Sequence, residues 1–221
     1  MADQPHRPVV TIAALYGASG SVIGPRVAER LNVPLLDREI PAAVAERAGL
    51  SAEAVASIDE KPRSLVGRLA QNLGRASSLT GSAEGSVERL DLEEGRLRGY
   101  FEHFLAEAAA SGGVAIGRGG AVVLRKVSWV LHVHLGGPRE ARLEVRMAQD
   151  GIDRETADRR QKNEDRARAA YVYRAYGVDG GDPSLYHLML DTTALGVDTC
   201  VDLIAMAAQA RTRQPKASNS N

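Results

Sequence analysis

Short apolar runs alternate with amphipathic segments along most of the chain. The first run, 9–15 (VVTIAAL), is rich in β-branched residues and stops abruptly at Tyr16 and Gly17, as a strand buried on both faces does. Strands that alternate with helices form a parallel sheet with helices on both faces, and ligands bind at the carboxyl ends of its strands. The pattern therefore predicts an α/β fold with a five-stranded parallel sheet. The other four strands are predicted at 33–37, 114–117, 129–135 and 187–191.

Helical spacing of apolar positions fills most of the intervals between these strands. Between residues 61 and 99 this rhythm weakens and glycine and serine become common, which predicts a mobile insert. We expect one domain over 9–211, with disordered tails at 1–8 and 212–221. Helices are predicted at 25–31, 41–48, 51–57, 100–110, 139–149, 154–173 and 198–211.

Composition narrows the class of protein. The 221 residues carry 28 Lys+Arg and 28 Asp+Glu, so no overall basic field favours nucleic acid or an anionic membrane, and phosphate must be bound by a local site. The one cysteine, Cys200, excludes an internal disulfide and favours a reducing compartment. No apolar run approaches the roughly 20 residues of a membrane-spanning helix. We expect a cytoplasmic protein whose partners are small molecules.

The glycine-rich turn after the first strand is the main candidate for chemistry. Gly17 to Gly20 fit a phosphate cradle, because glycines let backbone N–H groups close around an anion and the next helix N-terminus adds partial positive charge. The second half departs from the P-loop pattern, since Val22 and Ile23 stand where that pattern has Gly-Lys and the hydroxyl expected on Mg²⁺ is missing. By this pattern alone, a tight β–α turn without a ligand is the alternative.

Further motifs follow the turn in a fixed order. The chain opens with YGASGSVIG and VAERLNVPLLDREI, continues with GRGG, ARLEVRMAQDG and KNEDRARAAY, and closes its last strand with LDTT. Together these motifs resemble the cytidylate-kinase-like family of P-loop nucleoside-monophosphate kinases, over about residues 9–205 and most weakly between 60 and 100. The family's opening loop also lacks the usual lysine. The chain departs from the family at Gly119, where an aspartate is usual, and at Ser21 and Val22, where relatives often carry charged residues.

The resemblance implies a fold and an activity. The fold is a P-loop NTPase fold with five parallel strands, a helical NMP-binding insert at about 41–110 and a helical lid at about 139–174. The activity is transfer of the γ-phosphoryl group of ATP to CMP or dCMP, with Mg²⁺. Such a transfer depends on positioning and on positive charge more than on covalent help from the protein.

The resemblance also suggests roles for individual residues. Arg118, at the end of the third strand, is expected to hold the acceptor's monophosphate, since a guanidinium suits it bidentately; the alternative is a surface arginine in a turn. Asp37 is expected to contact the acceptor, or equally to cap the following helix. The residues expected to bind ATP are Gly17, Ala18, Ser19, Gly20, Ser21 and Gly24.

The lid supplies the expected catalytic residues. Lys162, Asp165 and Arg168 are spaced three apart, so successive members are neighbours on one helical face. In the functional interpretation Lys162 and Arg168 meet phosphates, and Asp165 orients Arg168. The alternative is a solvated helix with ordinary ion pairs. Arg142 and Arg146, one turn apart, are similar lid candidates.

Two histidines are candidate metal ligands. His132 and His134 lie two apart on an extended run and so face one side of a strand. A third ligand of matching spacing is not evident, so core or edge histidines are the favoured interpretation and no metal site is predicted.

Two functions of different class fit these residues. The first is a nucleoside-monophosphate kinase, and the second is a non-catalytic nucleotide-binding regulatory protein with a degenerate P-loop. Ile23 and the missing hydroxyl favour the second. The acceptor and lid motifs favour the first, because basic lid residues serve to hold phosphates. We favour the enzyme.

Overall fold

The computed structural model describes residues 6–36, 102, 105–106, 109–117 and 119–213. The chain divides into two units, one of Met1–Asp37 with Leu105–Asn221 and one of Arg38–Phe104. Every element below belongs to the first unit. The predicted helices at 41–48 and 51–57 and the insert at 61–99 lie outside the described residues, so the expected domain boundaries stay predictions.

The sheet of the described chain has four parallel strands. They are β1 (Val9–Ala14), β2 (Gly113–Ile116), β3 (Val130–Gly136) and β4 (Leu188–Asp191). Their order is β2-β1-β3-β4, and Thr11 lies opposite Ala115 on one side and His132 on the other. Because all pairs are parallel, the four carboxyl ends lie along one edge of the sheet. The α/β class with a parallel sheet is confirmed.

The structure corrects the prediction of a strand at 33–37. Of its described residues, 33–36, only Leu35 forms a parallel bridge, with Val114, whose N–H donates to Pro34 O at 3.0 Å. Asn32 in the left-handed region (φ 53°) and Pro34, which lacks an N–H, limit pairing there. The described sheet therefore has four strands instead of five.

Helices cover both faces of the sheet. The helices predicted at 139–149 and 154–173 are confirmed as a hairpin, whose second helix begins where the Asp153 side chain accepts from Thr156 N at 2.8 Å. None of the helices in the described part of the chain is long and apolar enough to cross a membrane. In chain order the helices are α1 (Gly20–Leu31), α2 (Gly120–Val123), α3 (Arg139–Asp150), α4 (Arg154–Tyr176), α5 (Thr192–Leu195) and α6 (Val197–Thr212).

Helix α1 begins at Gly20, five residues before its predicted start at Pro25. Pro25, predicted at the first helical position, lies inside the helix. The earlier start follows from burial, because residues at helical spacing all face the core. The buried positions of α1 are Gly20, Ile23, Gly24, Val27, Ala28 and Leu31.

The main core lies between the sheet and helices α1 and α6. Val10 and Ile12 of β1 belong to the same buried cluster as Ile23 of α1 and Ile204 of α6. Neighbouring strand residues point to the opposite face, where a Cβ on Gly120 of α2 would lie 3.2 Å from Thr11 Cβ. Strand β1 is thus buried on both faces, as predicted.

The opposite face carries a pair of neutral histidines. His132 is buried, and its Nδ1 lies 2.7 Å from Thr11 Oγ1. The backbone N–H of His132 donates to Nδ1 of His187 at 2.9 Å, which requires that nitrogen to be unprotonated. Burial, as the largest cause, together with the charges of His187 and Arg211 lowers the pKa of His132 to about 4. The interpretation of His132 as a core histidine is confirmed.

We predict that acid weakens the fold well before the carboxylates titrate. Unfolded His132 protonates near its ordinary pKa of 6.5, whereas folded His132 resists protonation down to about 4. The unfolded state therefore binds the proton first as pH falls, and the free energy of unfolding drops by up to about 3 kcal/mol between about pH 6.5 and 4. Burial lowers the pKa of His134 and His187 too, so they act in the same direction.

Urea unfolding at several pH values between about 7 and 4.5 measures this loss. His132→Gln has no imidazole to titrate and should show a smaller dependence on pH. A wild-type free energy of unfolding that stays constant from about pH 7 to 5 would contradict the buried neutral histidines.

Candidate functional site

The loop after β1 is short and mostly buried. It runs over 15–19, with Tyr16 and Ala18 buried and Ala18 N donating to Leu15 O at 3.0 Å. Ser19, in the left-handed region at φ 53°, is the N-cap of α1, so the helix N-terminus opens directly from the loop. This is the arrangement that places partial positive charge next to a phosphate.

Gly17 is required for packing as well as for loop shape. Its φ is +81°, and a Cβ there would lie 2.1 Å from the backbone oxygen of Arg142 in α3. Helix α3 therefore passes so close to the loop that no side chain fits. The sequence predicted a phosphate cradle or a tight β–α turn at this glycine, and the close approach of α3 is a third reason that only the structure shows.

Tyr16 is held from three sides by the α3–α4 hairpin. Its N–H donates to Asp165 Oδ1 at 2.7 Å, and its carbonyl oxygen accepts from Arg142 Nη1 at 2.5 Å. The guanidinium of Arg146 lies 5.0 Å above the centre of its ring, at cation–π distance. Tyr16, the second residue of the loop, is thus fixed by the helices predicted as the lid.

Arg142 serves as an internal connection. Its side chain is 7% exposed, and Nη1 also pairs with Asp165 Oδ2 at 3.1 Å. Its Nε donates to Gly137 O at 3.1 Å, just past the end of β3. A guanidinium bound to Tyr16, Gly137 and Asp165 holds the hairpin to the sheet edge and presents little surface to a ligand.

Arg168 is fixed at one side and exposed at the other. Nη1 donates to Ala14 O, the last residue of β1, at 2.6 Å, and Nη2 pairs with Glu164 Oε2 at 3.0 Å. The Arg168 side chain is nevertheless 51% exposed. Because a guanidinium has five N–H donors, a positioned and half-exposed arginine at this edge can still bind an anion.

The expected orientation of Arg168 by Asp165 is wrong. The Asp165 oxygens bind Tyr16 N and Arg142, whereas the carboxylate on Arg168 belongs to Glu164. Sequence reasoning missed both Tyr16 and Glu164. A signal for Glu164 was present, because a glutamate four residues before an arginine is the favourable order for a helical ion pair.

Glu164 is the more buried partner of that pair. Its side chain is 15% exposed, and burial raises its pKa above the ordinary value. Arg168 opposes this rise most strongly, followed by Arg146 and Arg160, while the charge of Asp165 adds to it.

The other lid candidates are less directly involved. Lys162 is 60% exposed and pairs with Asp158 at 2.7 Å, so the structure does not bring it to Arg168. Arg146 pairs with Asp150 at 2.7 Å while it covers Tyr16. Of the five charged candidates, the structure brings Arg142, Arg146, Asp165 and Arg168 to the start of the loop.

The second half of the predicted loop belongs to α1. Ser21 is exposed in the first turn of the helix. Gly24 faces the core, where a Cβ would lie 2.3 Å from Ile116 Cδ1. Ile23, at the position of the P-loop lysine, is fully buried in the main core. The candidates that line the loop itself are thus Gly17 to Gly20.

The acceptor-side candidates Asp37 and Arg118 lie outside the described residues. Gly119, the residue after Arg118, is described, and its surroundings explain one departure from the family pattern. Its φ is +74°, and a Cβ there would lie 2.4 Å from the Tyr176 ring at the end of α4. An aspartate at this position would collide with that ring.

Residues 9–194 match the cytidylate kinase-like family. The chain belongs to that family. This confirms the resemblance seen in the motifs. No residue-level role follows from the match itself, so the assignments above depend on the geometry.

Individual relatives add the fold and little more. A crystal structure of an uncharacterized protein from Eubacterium ventriosum has a TM-score of 0.64 and 17% identity, covering 92% of this chain and 99% of that one, which shows a shared fold. Shikimate kinase from Bacteroides thetaiotaomicron, at 14% identity, covers 92% of this chain and 96% of that one, but its TM-score of 0.46 supports no argument. Uronate isomerase from Corynebacterium glutamicum is 31% identical over 100 residues, 45% of this chain and 19% of that protein. The chain thus spans about a fifth of this curated relative's length.

The Mg²⁺ implied by the family finds no obvious ligands among the described side chains. No three His, Cys, Asp or Glu residues in the described part of the chain lie together as a metal site. Asp191, at the carboxyl end of β4, caps α5 by accepting from Thr193 N at 3.0 Å and Ala194 N at 3.2 Å. Asp165 is bound as described above. Among the described residues, these carboxylates accept hydrogen bonds from the protein and do not form a ready Mg²⁺ site of their own.

We predict that Asp165 stabilises the fold through Tyr16 and Arg142. Asp165→Ala removes an acceptor from the Tyr16 N–H and leaves the buried Arg142 without its carboxylate. Hydrogen bonds to charged groups contribute about 1.5–3 kcal/mol, so the free energy of unfolding should fall by about 2 kcal/mol. Urea denaturation followed by circular dichroism gives the value.

Asp158→Ala is the matched control. It removes a carboxylate from the same helix, but one whose partners Lys162 and Arg139 are exposed. Exposed ion pairs add little to stability, so this variant should remain close to wild type. Equal losses in the two variants would show that Asp165 has no special role at the loop.

Proposed function

We propose that the protein transfers the γ-phosphoryl group of ATP to a nucleoside monophosphate, with CMP or dCMP as the favoured acceptor. The observation that carries the proposal is Arg168, held by Ala14 O and Glu164 at the end of β1, beside the loop, with half its side chain exposed. Membership of the cytidylate kinase-like family supports the reaction class. ATP would enter as its Mg²⁺ complex.

The loop and the arginine provide two sources of positive charge. The N–H groups at the start of α1 supply fixed partial charges, and Arg168 adds a full charge at the same edge of the sheet. Phosphoryl transfer requires such charge around the transferring group, in a fixed position. Since Ile23 cannot supply the charge of a P-loop lysine, the proposal assigns that part to the hairpin, with Arg168 as its main contributor.

A non-catalytic nucleotide-binding protein is the second candidate. The observation in its favour is the complete burial of Ile23 in the core, which commits the lysine position to packing. For the same reason, Ile23→Lys would bury a charge and destabilise the fold, so it cannot serve to restore a P-loop. Both candidate functions require nucleotide binding, but only the kinase would release ADP from ATP in the presence of an acceptor.

We predict detectable but slow ADP release from ATP in the presence of CMP or dCMP. Arg168→Ala should lower kcat by about two orders of magnitude, because the lost charge acts most on the transferring phosphoryl group. The affinity for ATP should change little. A coupled assay of ADP release with CMP, dCMP, UMP and AMP measures the rates, and thermal melts with excess ATP test binding separately.

The control for this experiment is Arg166→Ala, which removes an exposed arginine from the same helix. It should behave as wild type. If wild type and Arg168→Ala are indistinguishable with every acceptor while ATP still raises the melting temperature, the regulatory candidate replaces the kinase. If no nucleotide raises the melting temperature, both candidates fail.

We predict that Arg118→Ala weakens binding of the acceptor, CMP, more than binding of the donor, ATP. Arg118 directly follows Gly117, just beyond the carboxyl end of β2. Loss of a charge-assisted contact of roughly 1.5–3 kcal/mol should weaken CMP binding by about one to two orders of magnitude. Isothermal titration with CMP and with ATP compares the two sites. Loss of ATP binding with intact CMP binding would invert the assignment.

A further inference from the structure

We propose that Glu164 is the positioning residue for Arg168 in the transfer reaction. This inference rests on the proposed function, since it concerns how the arginine is presented to the transferring group. Glu164 lies within the KNEDRARAAY motif, but the resemblance gave a role there only to Lys162, Asp165 and Arg168. Its assignment comes from the contacts of the hairpin with the end of β1.

Two anchors on different elements fix the Arg168 guanidinium. Nη2 pairs with Glu164 Oε2 at 3.0 Å, one turn back on α4, and Nη1 donates to Ala14 O at 2.6 Å. The first contact ties the guanidinium to its own helix, and the second ties it to the sheet. A planar group held through two of its nitrogens has little freedom to rotate, so its remaining donors keep a constant direction.

The two residues of this ion pair differ in burial: Glu164 is mostly buried, and Arg168 is half exposed to solvent. Glu164 is 15% exposed and Arg168 51%. A carboxylate that is mostly removed from water interacts more strongly with its partner than a surface carboxylate does. Burial of the carboxylate has a cost of its own, which raises the pKa of Glu164 in spite of Arg168. The exposed part of Arg168 is the part available to a phosphate.

No other described carboxylate makes an ion pair with Arg168. Asp165, one residue away, uses Oδ1 for Tyr16 N and Oδ2 for Arg142. The two neighbouring acidic residues thus have different partners. Asp165 connects α4 with α3 and the loop, and Glu164 fixes the exposed arginine.

This division predicts a distinctive kinetic pattern. Without Glu164, Arg168 keeps its charge but loses the restraint that prepares it for the transition state, so kcat should fall about tenfold. Removal of a negative charge from the neighbourhood of the phosphates does not weaken ATP binding, so KM for ATP should stay the same or fall. A variant that merely loosened the fold would instead raise KM or reduce the active fraction.

The first test measures the contact without any need for activity. Melting temperatures are determined for wild type, Glu164→Ala, Arg168→Ala and the double variant. The fall in melting temperature of the double variant should be smaller than the sum of the falls in the two single variants, because each single change already breaks the same contact. Glu155→Ala, at an exposed position of α4, combined with Arg168→Ala should be additive. If Glu164→Ala does not fold, Glu164→Leu takes its place in the cycle, because it fills the same half-buried space and has no acceptor for Nη2.

The second test measures kcat and KM for ATP with CMP in the same variants. Glu164→Gln should recover part of the rate, since its amide oxygen can still accept from Nη2 without the negative charge. Glu155→Ala should match wild type.

The outcomes separate this inference from the proposed function. Additive losses for Glu164 and Arg168 overturn the inference whether or not the protein is a kinase. If the losses of melting temperature at Glu164 and Arg168 are coupled but kcat is unchanged in Glu164→Ala, the positioning role alone is overturned. A wild type without transfer to any acceptor overturns the proposed function and the positioning role together, even where the coupling is found. Coupled losses with a lowered kcat and an unraised KM support both.

Discussion

The candidate site depends on how the peptide groups at the end of β1 are paired. A strand that leaves its sheet loses its neighbours, and a buried backbone group without a partner costs about 1–3 kcal/mol. In this protein Arg168 pairs Ala14 O, while Asp165 and Arg142 pair the N–H and the carbonyl of Tyr16. The same contacts that satisfy the backbone therefore hold the α3–α4 hairpin against the glycine-rich loop.

This constraint gives the arginines of the hairpin different roles. Arg142 lies inside the contact, with protein partners for Nε and Nη1, and its replacement would chiefly affect the fold. Arg168 lies at the margin of the same contact, fixed by two partners and still half exposed. Sequence spacing offers both arginines as lid residues that meet phosphates. Burial separates the connecting residue from the one that can meet a ligand.

The parts that the sequence predicted well are those governed by periodic burial. The runs that became β1 and β3 and the helices at 139–149 and 154–173 follow local patterns, and the structure confirms them. The strand at 33–37 was wrong because Pro34 and Asn32 limit pairing there, and the start of α1 was wrong because Pro25 was assigned to the first turn. Contacts between distant segments, such as Tyr16 with Asp165, leave no local pattern. For that reason the sequence assigned Asp165 as the partner of Arg168, whereas the structure pairs Arg168 with Glu164.

The absence of a P-loop lysine follows from where α1 begins. Because the helix starts at Gly20, residue 23 lies at the end of its first turn and points into the core, where Ile23 is fully buried. A lysine there would be an unpaired charge among apolar side chains. The packing of α1 on the sheet and a cation at this position thus exclude each other. If the protein transfers phosphoryl groups, the charge must come from a side chain outside α1, and Arg168 beside Ala14 O already stands at the loop with Glu164 to hold it.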